Sequence, residues 1–557
     1  MIIVGVLATG VGFIAVGFHS IVERLHHYTI GALHTVGGVW FALGSLACVV
    51  GASLLATFII HRISPAAGGG GVLSTKRAFW RDFGYLEART AVAKFLASAV
   101  TLGGGVSLGP EGPAVQIGSS AMSAAAGAAG IAKQKRRLYC AGGAAAALAA
   151  VFNAPLAAIA FVLEEVIGDL SSKLIGGILL ASVIGALIAH AVIGPQPAFQ
   201  IASLRDPTWL GVALCPIVAV IASLGGVAFQ KCSLAVRGRM RSLRRLPAWS
   251  RPAVGALGTW VFGCAAFYLT GRIGVFGIGY ADVTAAIGGE LIWTTALVLA
   301  LAKLAATFLA VGSGGCGGIF APSFFLGAMF GGAVAGLAGL FLPLTGSDVS
   351  MLVISGMCAG FVAVIRTPIT CILLIFEVTH QFVIVPFLLV ATVVSHVVSR
   401  RLAKEDLYEC MLRQDGEPPH HVLPPHDFRK WREMPVGALA TFRPVSATDL
   451  SIDGLKNLLA AQRHQCFPVQ TPADGRIIGL LTRAEAGHAI ATGRAPNLEP
   501  ALWIDAEKNL AHAQHLLIES PSGFLCLGDA GEKRLAGVFT LHDLLRGQEA
   551  LLDDDET

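Results

Sequence analysis

Apolar residues run almost without break from Met1 to about Ser399, and the pattern then changes. Within the apolar part the runs are cut by glycine-rich stretches at Gly68–Gly71, Gly103–Gly112, Gly274–Gly279 and Gly312–Gly318. Many segments are therefore too short or too broken to be clean spans of ~20 residues. Irregular backbone at membrane depth persists only inside protein or beside a cavity. The pattern predicts a multi-pass membrane domain over residues 1–403 whose interrupted segments point to a transporter or channel. The N-terminus is apolar from Met1, with no basic stretch and no small-residue cleavage site, so it predicts entry into a membrane helix and not a cleaved signal. Residues 404–435 are polar and Pro-rich and predict a linker. Two units of strand–helix–strand–strand–helix pattern follow, over 436–495 and 496–550, before an acidic tail at 551–557. The first runs through Phe442, a helical stretch Ile452–Gln462, a strand Cys466–Val469, a turn at Asp474-Gly475 and Ile477–Thr482. The second runs through Ile504, a helical stretch Leu510–Ile518, Phe524–Leu527, Leu535–Thr540 and a helix from Leu541.

The apolar part repeats itself. A shift of 209 residues carries Gly68 onto Gly277, Gly70 onto Gly279, Lys94 onto Lys303 and Gly103 onto Gly312. It also carries Gly105 onto Gly314, Gly109 onto Gly318, Pro113 onto Pro322 and Gly118 onto Gly327. With a slip to 213, Gly143 meets Gly356, Ala150 meets Ala363, Val151 meets Val364, Pro155 meets Pro368 and Glu164 meets Glu377. Glycine matches alone would be weak in a Gly-rich chain, but an ordered run that includes Lys, Pro and Glu marks a duplication. Duplicated halves with interruptions at matching positions predict a substrate site near the midplane, where the repeats meet. Matching positions do not say whether the repeats are parallel or inverted.

Composition sharpens this reading. Hydrophobic residues make up 54% and charged residues 13%, with mean hydropathy +0.69. Soluble domains carry about 25% charged residues, so a single soluble domain is excluded, as are disorder and a collagen-like chain. Residues 1–403 hold 12 acids and 25 bases, whereas 404–557 hold 23 acids and 15 bases. The basic surplus sits in loops such as Lys133–Arg137 and Arg237–Arg245, which fits cytoplasmic loops and not nucleic-acid binding. Arg400 and Arg401 close the last apolar segment and place the tail in the cytoplasm. The 11 cysteines are an odd number without a CxxC pair, so they read as small buried hydrophobes, with no disulfide framework and no metal site.

With so few acids in the membrane part, each carboxylate there is a functional candidate. In Gly109-Pro-Glu-Gly-Pro113, glycines let backbone N–H groups approach a ligand and Pro suits a helix start. Glu111 thus places a carboxylate at a helix N-terminus, where anions bind. Ionised, it would fill an anion site; protonated, it would leave. Gly318-Ile-Phe-Ala-Pro322 is the repeat partner without the acid, and its N–H groups would face the same anion. Glu164 and Glu165 end an apolar run and point about 100° apart on a helix, so one would face a pathway and the other a polar interface. Tyr408, just past the last apolar segment, reads unaided as an interfacial anchor. An intramembrane hydrolase would need Ser/His or paired Asp residues, and His190, Asp206, Asp282 and His396 form no such grouping in the sequence.

Together these motifs resemble the CLC family of chloride channels and proton-coupled chloride exchangers with a cytoplasmic pair of CBS domains. The resemblance rests on Gly109–Pro113, on Gly312–Pro322, on Phe152-Asn-Ala-Pro-Leu156 followed by Glu164-Glu165, and on Leu407-Tyr-Glu409. It implies that the membrane domain is all-α with broken helices, a homodimer of two inverted repeats per subunit in the cell (inner) membrane, with an α/β CBS pair in the cytoplasm. It implies Glu111 as external gate and proton acceptor and Glu165 as inner proton glutamate. Backbone N–H groups of Gly70, Gly71, Gly112, Ile319 and Phe320, and the hydroxyl of Tyr408, would hold chloride or a related anion. An acid at Glu165 favours proton antiport over a passive voltage- or pH-gated chloride channel. No cofactor is required and no enzyme activity is implied. The CBS resemblance points to an adenine nucleotide at Thr540 and Asp543 or to dimer support; in the first module Glu485 replaces the Asp. Two departures stand out: Gly70 takes the place of the family's anion-binding serine, and Pro110 that of a Lys or Arg beside the gate. The complete Gly318-Ile-Phe-Ala-Pro322 motif and Tyr408 argue against the family's fluoride-selective branch.

Overall fold

The structure, a computed structural model, describes all residues except 171–173, 195–198, 200–203, 205–206, 244–245, 417–433, 443 and 547–557. Asp206, the end of the basic loop Arg237–Arg245, much of the expected linker and the acidic tail lie outside the described residues. The chain forms two compact units, Met1–Leu423 and Pro424–Thr557. The first is helical, and among its described residues nine helical stretches are long and apolar enough to cross a bilayer. The chain is an integral membrane protein. This unit extends past the boundary expected at residue 403. The helix Leu407–Gln414 belongs to it, because Leu407, Tyr408 and Leu412 are buried in its core. Charge composition misplaced this helix, since its polar face carries Glu409 and Arg413.

Between the long helices lie short ones that stop inside the protein: Val72–Arg81, Pro155–Phe161, Tyr280–Ile287 and Pro368–Thr379. Two of them start in the same way. The helix Arg137–Phe152 ends on Asn153 in the left-handed region, and Pro155 opens the next helix. The helix Gly346–Ile365 ends on Arg366 in the left-handed region, and Pro368 opens the next. Arginine has no intrinsic preference for that conformation. Here its guanidinium donates to the carbonyl oxygens of Ala403 and Lys404, which hold it there.

Contacts between the halves come in reciprocal pairs. Ser107 Oγ lies 2.8 Å from Thr307 Oγ1, and the repeat-equivalent pair, Cys316 Sγ and Ser98 Oγ, lies 3.2 Å apart. Gly109 and Gly318, equivalent to each other, form an antiparallel bridge with N–H···O distances of 2.9 and 2.6 Å. A contact that recurs with its partners exchanged requires a two-fold axis, and the chain passes this axis in opposite directions, as inverted repeats do. The matched glycines also explain themselves. A Cβ on Gly118 would overlap the carbonyl of Gly143, and one on Gly327 that of Gly356. In each half two helices cross at backbone contact, the close approach that small residues permit in membranes.

The second unit is α/β. Strands β1 (Thr441–Phe442), β2 (Cys466–Gln470), β3 (Ile477–Thr482), β4 (Trp503–Ile504), β5 (Phe524–Leu527) and β6 (Gly537–Thr540) form two sheets, in the orders β1-β6-β5-β4 and β2-β3. In the second module β4 runs parallel to β5, and β6 antiparallel. The first repeats this with a parallel bridge from Ala447 to Val469 and β3 antiparallel to β2. The expected first strand at Phe442 is instead β1, which joins the sheet of the second module through β6. The helices Ile452–Ala461, Arg483–Thr492 and Leu510–Glu519 start on Ser451, Thr482 and Asn509, whose side chains accept N–H groups of the first turn. The arrangement is consistent with the expected pair.

Candidate functional site

The Gly109–Gly318 bridge fixes where two helices begin. Glu111–Ala128 and Phe320–Ala338 start next to it, each from the same motif in its own half. Helix N-termini leave their first N–H groups without intrahelical partners, so two such ends meet at the two-fold axis. Glu111 is fully buried there. Its carboxylate rests against both glycines: a Cβ on Gly109 would overlap Oε2, and one on Gly318 would come within 3.1 Å of it. Tyr280 Oη donates to Oε1 at 3.4 Å, while Oε2 has no hydrogen-bond partner. Phe320 is packed edge-on between Phe161 and Phe361, each 5.0 Å away.

A cavity of about 480 Å³ approaches this point from the end of the unit where the chain passes Asp415. Gly70, Gly71, Ile319 and Tyr408 line it; Glu111, Gly112 and Phe320 do not. Two buried lysines, equivalent in the repeat, shape the glycine loops beside it. Lys94 Nζ donates to the carbonyl oxygens of Ala67, at 3.1 Å, and Gly69. Lys303 Nζ donates to those of Gly274 at 2.9 Å and Gly277 at 2.6 Å. Carbonyls that satisfy a buried ammonium offset its desolvation and leave loop N–H groups for other partners. Gly71 has φ 100° and backs onto Gly112, whose carbonyl a Cβ would strike. At Gly70 a Cβ would stand at an ordinary 3.5 Å from the Gly317 carbonyl, so space does not exclude serine there.

The cavity mouth is basic. Arg77, Arg237, Arg241 and Arg251 line it, with Asp415 as the one acid among the described lining residues. Asp415 pairs with Arg237 at 2.8 Å, with Arg77 at 3.3 Å and with Arg241. Burial pushes its carboxyl up, but the bonds from Arg241 and Arg237 outweigh that and hold it below the usual carboxylate range.

The adjacent glutamates have different partners, and neither lines the cavity. Glu164 accepts the Ile369 N–H at 3.1 Å and the Thr370 N–H at 2.8 Å, so it caps the helix Pro368–Thr379 of the other repeat. Glu377 returns the same contact to Leu156 and Ala157, at 2.9 and 2.8 Å. Glu165 is buried instead against Lys76, with Nζ 2.8 Å from Oε1. Lys76 lies on Val72–Arg81, the helix that begins at Gly71. Tyr408 is buried and lines the cavity.

A profile described as voltage gated chloride channel matches residues 52–400. The chain belongs to that family. The H(+)/Cl(-) exchange transporter ClcA of Vibrio parahaemolyticus is 28% identical over 416 residues, covering 74% of this chain and 88% of that one. The crystal structure of a slow cyanobacterial Cl-/H+ antiporter superposes with TM-score 0.67 at 23% identity, over 74% of this chain and 97% of that one. That of a eukaryotic CLC transporter gives TM-score 0.62 at 19% identity, over 97% of this chain and 98% of that one. At these identities the superpositions speak for the fold.

Within the voltage gated chloride channel fold, Gly70, Gly71, Ile319 and Tyr408 gather around one cavity, and Glu111, Gly112 and Phe320 stand behind it. Sequence reasoning missed Lys76 and Tyr280, the side chains that hold the two candidate glutamates. Tyr280 follows Gly279, the matched repeat glycine, so its place was marked although its role was not. In the tail, Thr540 and Asp543 face each other: Thr540 N–H and Oγ1 donate to Asp543 Oδ2 at 2.9 and 2.7 Å, and the Asp543 N–H donates back to Oγ1 at 3.3 Å. The pair is taken up in capping its own helix.

Proposed function

We propose that this chain is a proton-coupled anion exchanger that moves chloride against protons, with Glu111 as gate and proton acceptor and Glu165 as the inner proton glutamate. The observation that carries the reading is Glu111: a buried carboxylate lodged between the glycine loops of both repeats, at paired helix N-termini, with one oxygen free of partners. An anion coming through the basic mouth meets N–H groups at Gly70, Gly71, Gly112, Ile319 and Phe320 and the hydroxyl of Tyr408. Each bond to a charged acceptor contributes about 1.5–3 kcal/mol, so several are needed to offset dehydration. The carboxylate of Glu111 competes for the same donors. A proton removes its charge and its claim, and the anion passes. Glu165 passes protons from the cytoplasmic side. The same reading makes the chain a transporter and not an enzyme, one half of a homodimer, with the tail as dimer support. An adenine nucleotide would bind the tail only by drawing Asp543 from its cap.

The test is purified protein in liposomes, with chloride and proton fluxes recorded together. The native chain should drive protons uphill when chloride runs down its gradient. Glu111→Gln should keep chloride flux, lose its pH dependence and drive no protons. Proton pumping that survives this variant would remove Glu111 from the role, and chloride flux in the native chain that moves no protons would make the protein a passive channel.

A further inference from the structure

Glu165 is not open to water. It is 3% exposed and its carboxylate is held by an ammonium, that of Lys76, itself 4% exposed. Asp406, at the start of the helix Leu407–Gln414, is 8% exposed. Asp406 caps the helix that carries Tyr408, accepting the Glu409 N–H at 2.7 Å. The charged and titratable groups around this pair are Asp406, Tyr408 and Glu409 at the start of Leu407–Gln414, and Arg366, which donates to the carbonyl oxygens of Ala403 and Lys404 just before that helix. The ammonium of Lys76 has Glu165 as its partner, and both are buried. It is also tied to the anion site: five residues before Lys76 the chain is Gly71, in the wall of the cavity.

We propose that Lys76 is the positioning residue of the proton step: it holds Glu165 as a carboxylate and releases it when Glu165 takes up a proton. The step balances simply. A proton from the cytoplasmic side adds to Glu165 Oε1, the N–H···O contact to Lys76 is lost, and the ammonium keeps its three protons and its charge. When the proton moves on, the ion pair re-forms. Proton loading at Glu165 is therefore set by a side chain on the helix that starts at the anion loop.

The proposal rests on Glu165 as the inner proton site, and the two can fail separately. Proton flux per chloride is measured in liposomes across pH for the native chain, Lys76→Met, Lys76→Arg and Glu165→Gln. An opposite charge at this range moves a carboxyl titration by about one to three pH units. Lys76→Met should therefore shift the midpoint of the proton flux to higher pH by that amount, and Lys76→Arg should restore it. A side chain that only packs would not move the midpoint. If Glu165→Gln leaves proton flux intact, the assignment of Glu165 fails. If Glu165→Gln abolishes it while Lys76→Met leaves the midpoint in place, the role of Lys76 alone is overturned. Should Lys76→Met not fold, the double variant Lys76→Met/Glu165→Gln decides. Recovery of folding supports the ion pair, because a stranded buried carboxylate was the fault; continued failure assigns Lys76 to packing and overturns the proposal.

Discussion

Glu164 and Glu165 are neighbours in sequence with different partners, and Glu164→Gln tests the separate roles proposed for them. Glu164 Oε2 accepts from the Thr370 N–H at 2.8 Å and from Thr370 Oγ1 at 2.6 Å, and Oε1 accepts from the Ile369 N–H at 3.1 Å. A glutamine keeps one carbonyl oxygen, so the Thr370 bonds survive in weakened, neutral form. Its NH2 then opposes the Ile369 N–H, donor against donor, and that bond is lost. Bonds to a charged acceptor contribute about 1.5–3 kcal/mol and neutral ones about 0.5–1.5 kcal/mol. Loss of the charge at a helix N-terminus removes a further ~0.3–1 kcal/mol. Because the contact to Ile369 is exposed, the total comes to roughly 2 kcal/mol. Glu377→Gln, with two such bonds in the equivalent place, should cost slightly less. Thermal unfolding in detergent reads the loss, and paired flux measurements in liposomes should return an unchanged proton-to-chloride ratio. A variant as stable as the native chain but with a lowered ratio would refute the reasoning and transfer the proton role to Glu164.

Gly70→Ser has room at 3.5 Å from the Gly317 carbonyl and should add a hydroxyl donor to the cavity. A donor to an anion contributes about 1.5–3 kcal/mol gross, and since chloride and nitrate both gain, a measurable but smaller shift in their flux ratio is expected; identical ratios would mean that Gly70 does not face the anion. Asp543→Ala breaks the cap on Thr540 and should destabilise the tail by about 1 kcal/mol. Calorimetry of the full chain with ATP, ADP and AMP, before and after this change, tests the nucleotide site, since heat that Asp543→Ala leaves unchanged would place the nucleotide elsewhere.

The duplication was legible because its matched residues do mechanical work that tolerates little change. Gly118 and Gly327 sit where helices touch at the backbone, and Lys94 and Lys303 hold the glycine loops by their carbonyls. Glu164 and Glu377 cap each other's neighbouring helix, which is why they survive as a pair. What could not be read was the partner of each unmatched acid. Hydropathy makes Lys76 one more base in a short polar helix, and only the fold turns it inward to Glu165. The reach of the membrane unit past residue 403 was hidden for a related reason. The helix Leu407–Gln414 is amphipathic, and its buried residues Leu407, Tyr408 and Leu412 are too few to register as apolar sequence.

The chemistry lies where the repeat fails. The same shifts carry the residues of the candidate site onto unlike partners: Glu111 falls on Phe320, Gly71 on Tyr280, Lys76 on Ala285 and Glu165 on Val378. A two-fold scaffold with identical chemistry at both ends would have no direction: two carboxylates would compete for one anion, and protons would meet the same barrier on both sides. Here one helix N-terminus carries the acid and its equivalent carries Phe320, wedged between two aromatic rings. One glycine loop ends on Gly71 and opens to the cavity, while its equivalent ends on Tyr280 and reaches Glu111. One short helix carries an ammonium to Glu165, and the other carries a methyl group where that ammonium would be. Matched positions therefore build the frame and mismatched positions give it polarity. Restoring symmetry at one of them, as Lys76→Ala would, should move the pH midpoint of proton flux in liposomes upward, as expected for Lys76→Met, and an unmoved midpoint would deny Lys76 that part in the asymmetry.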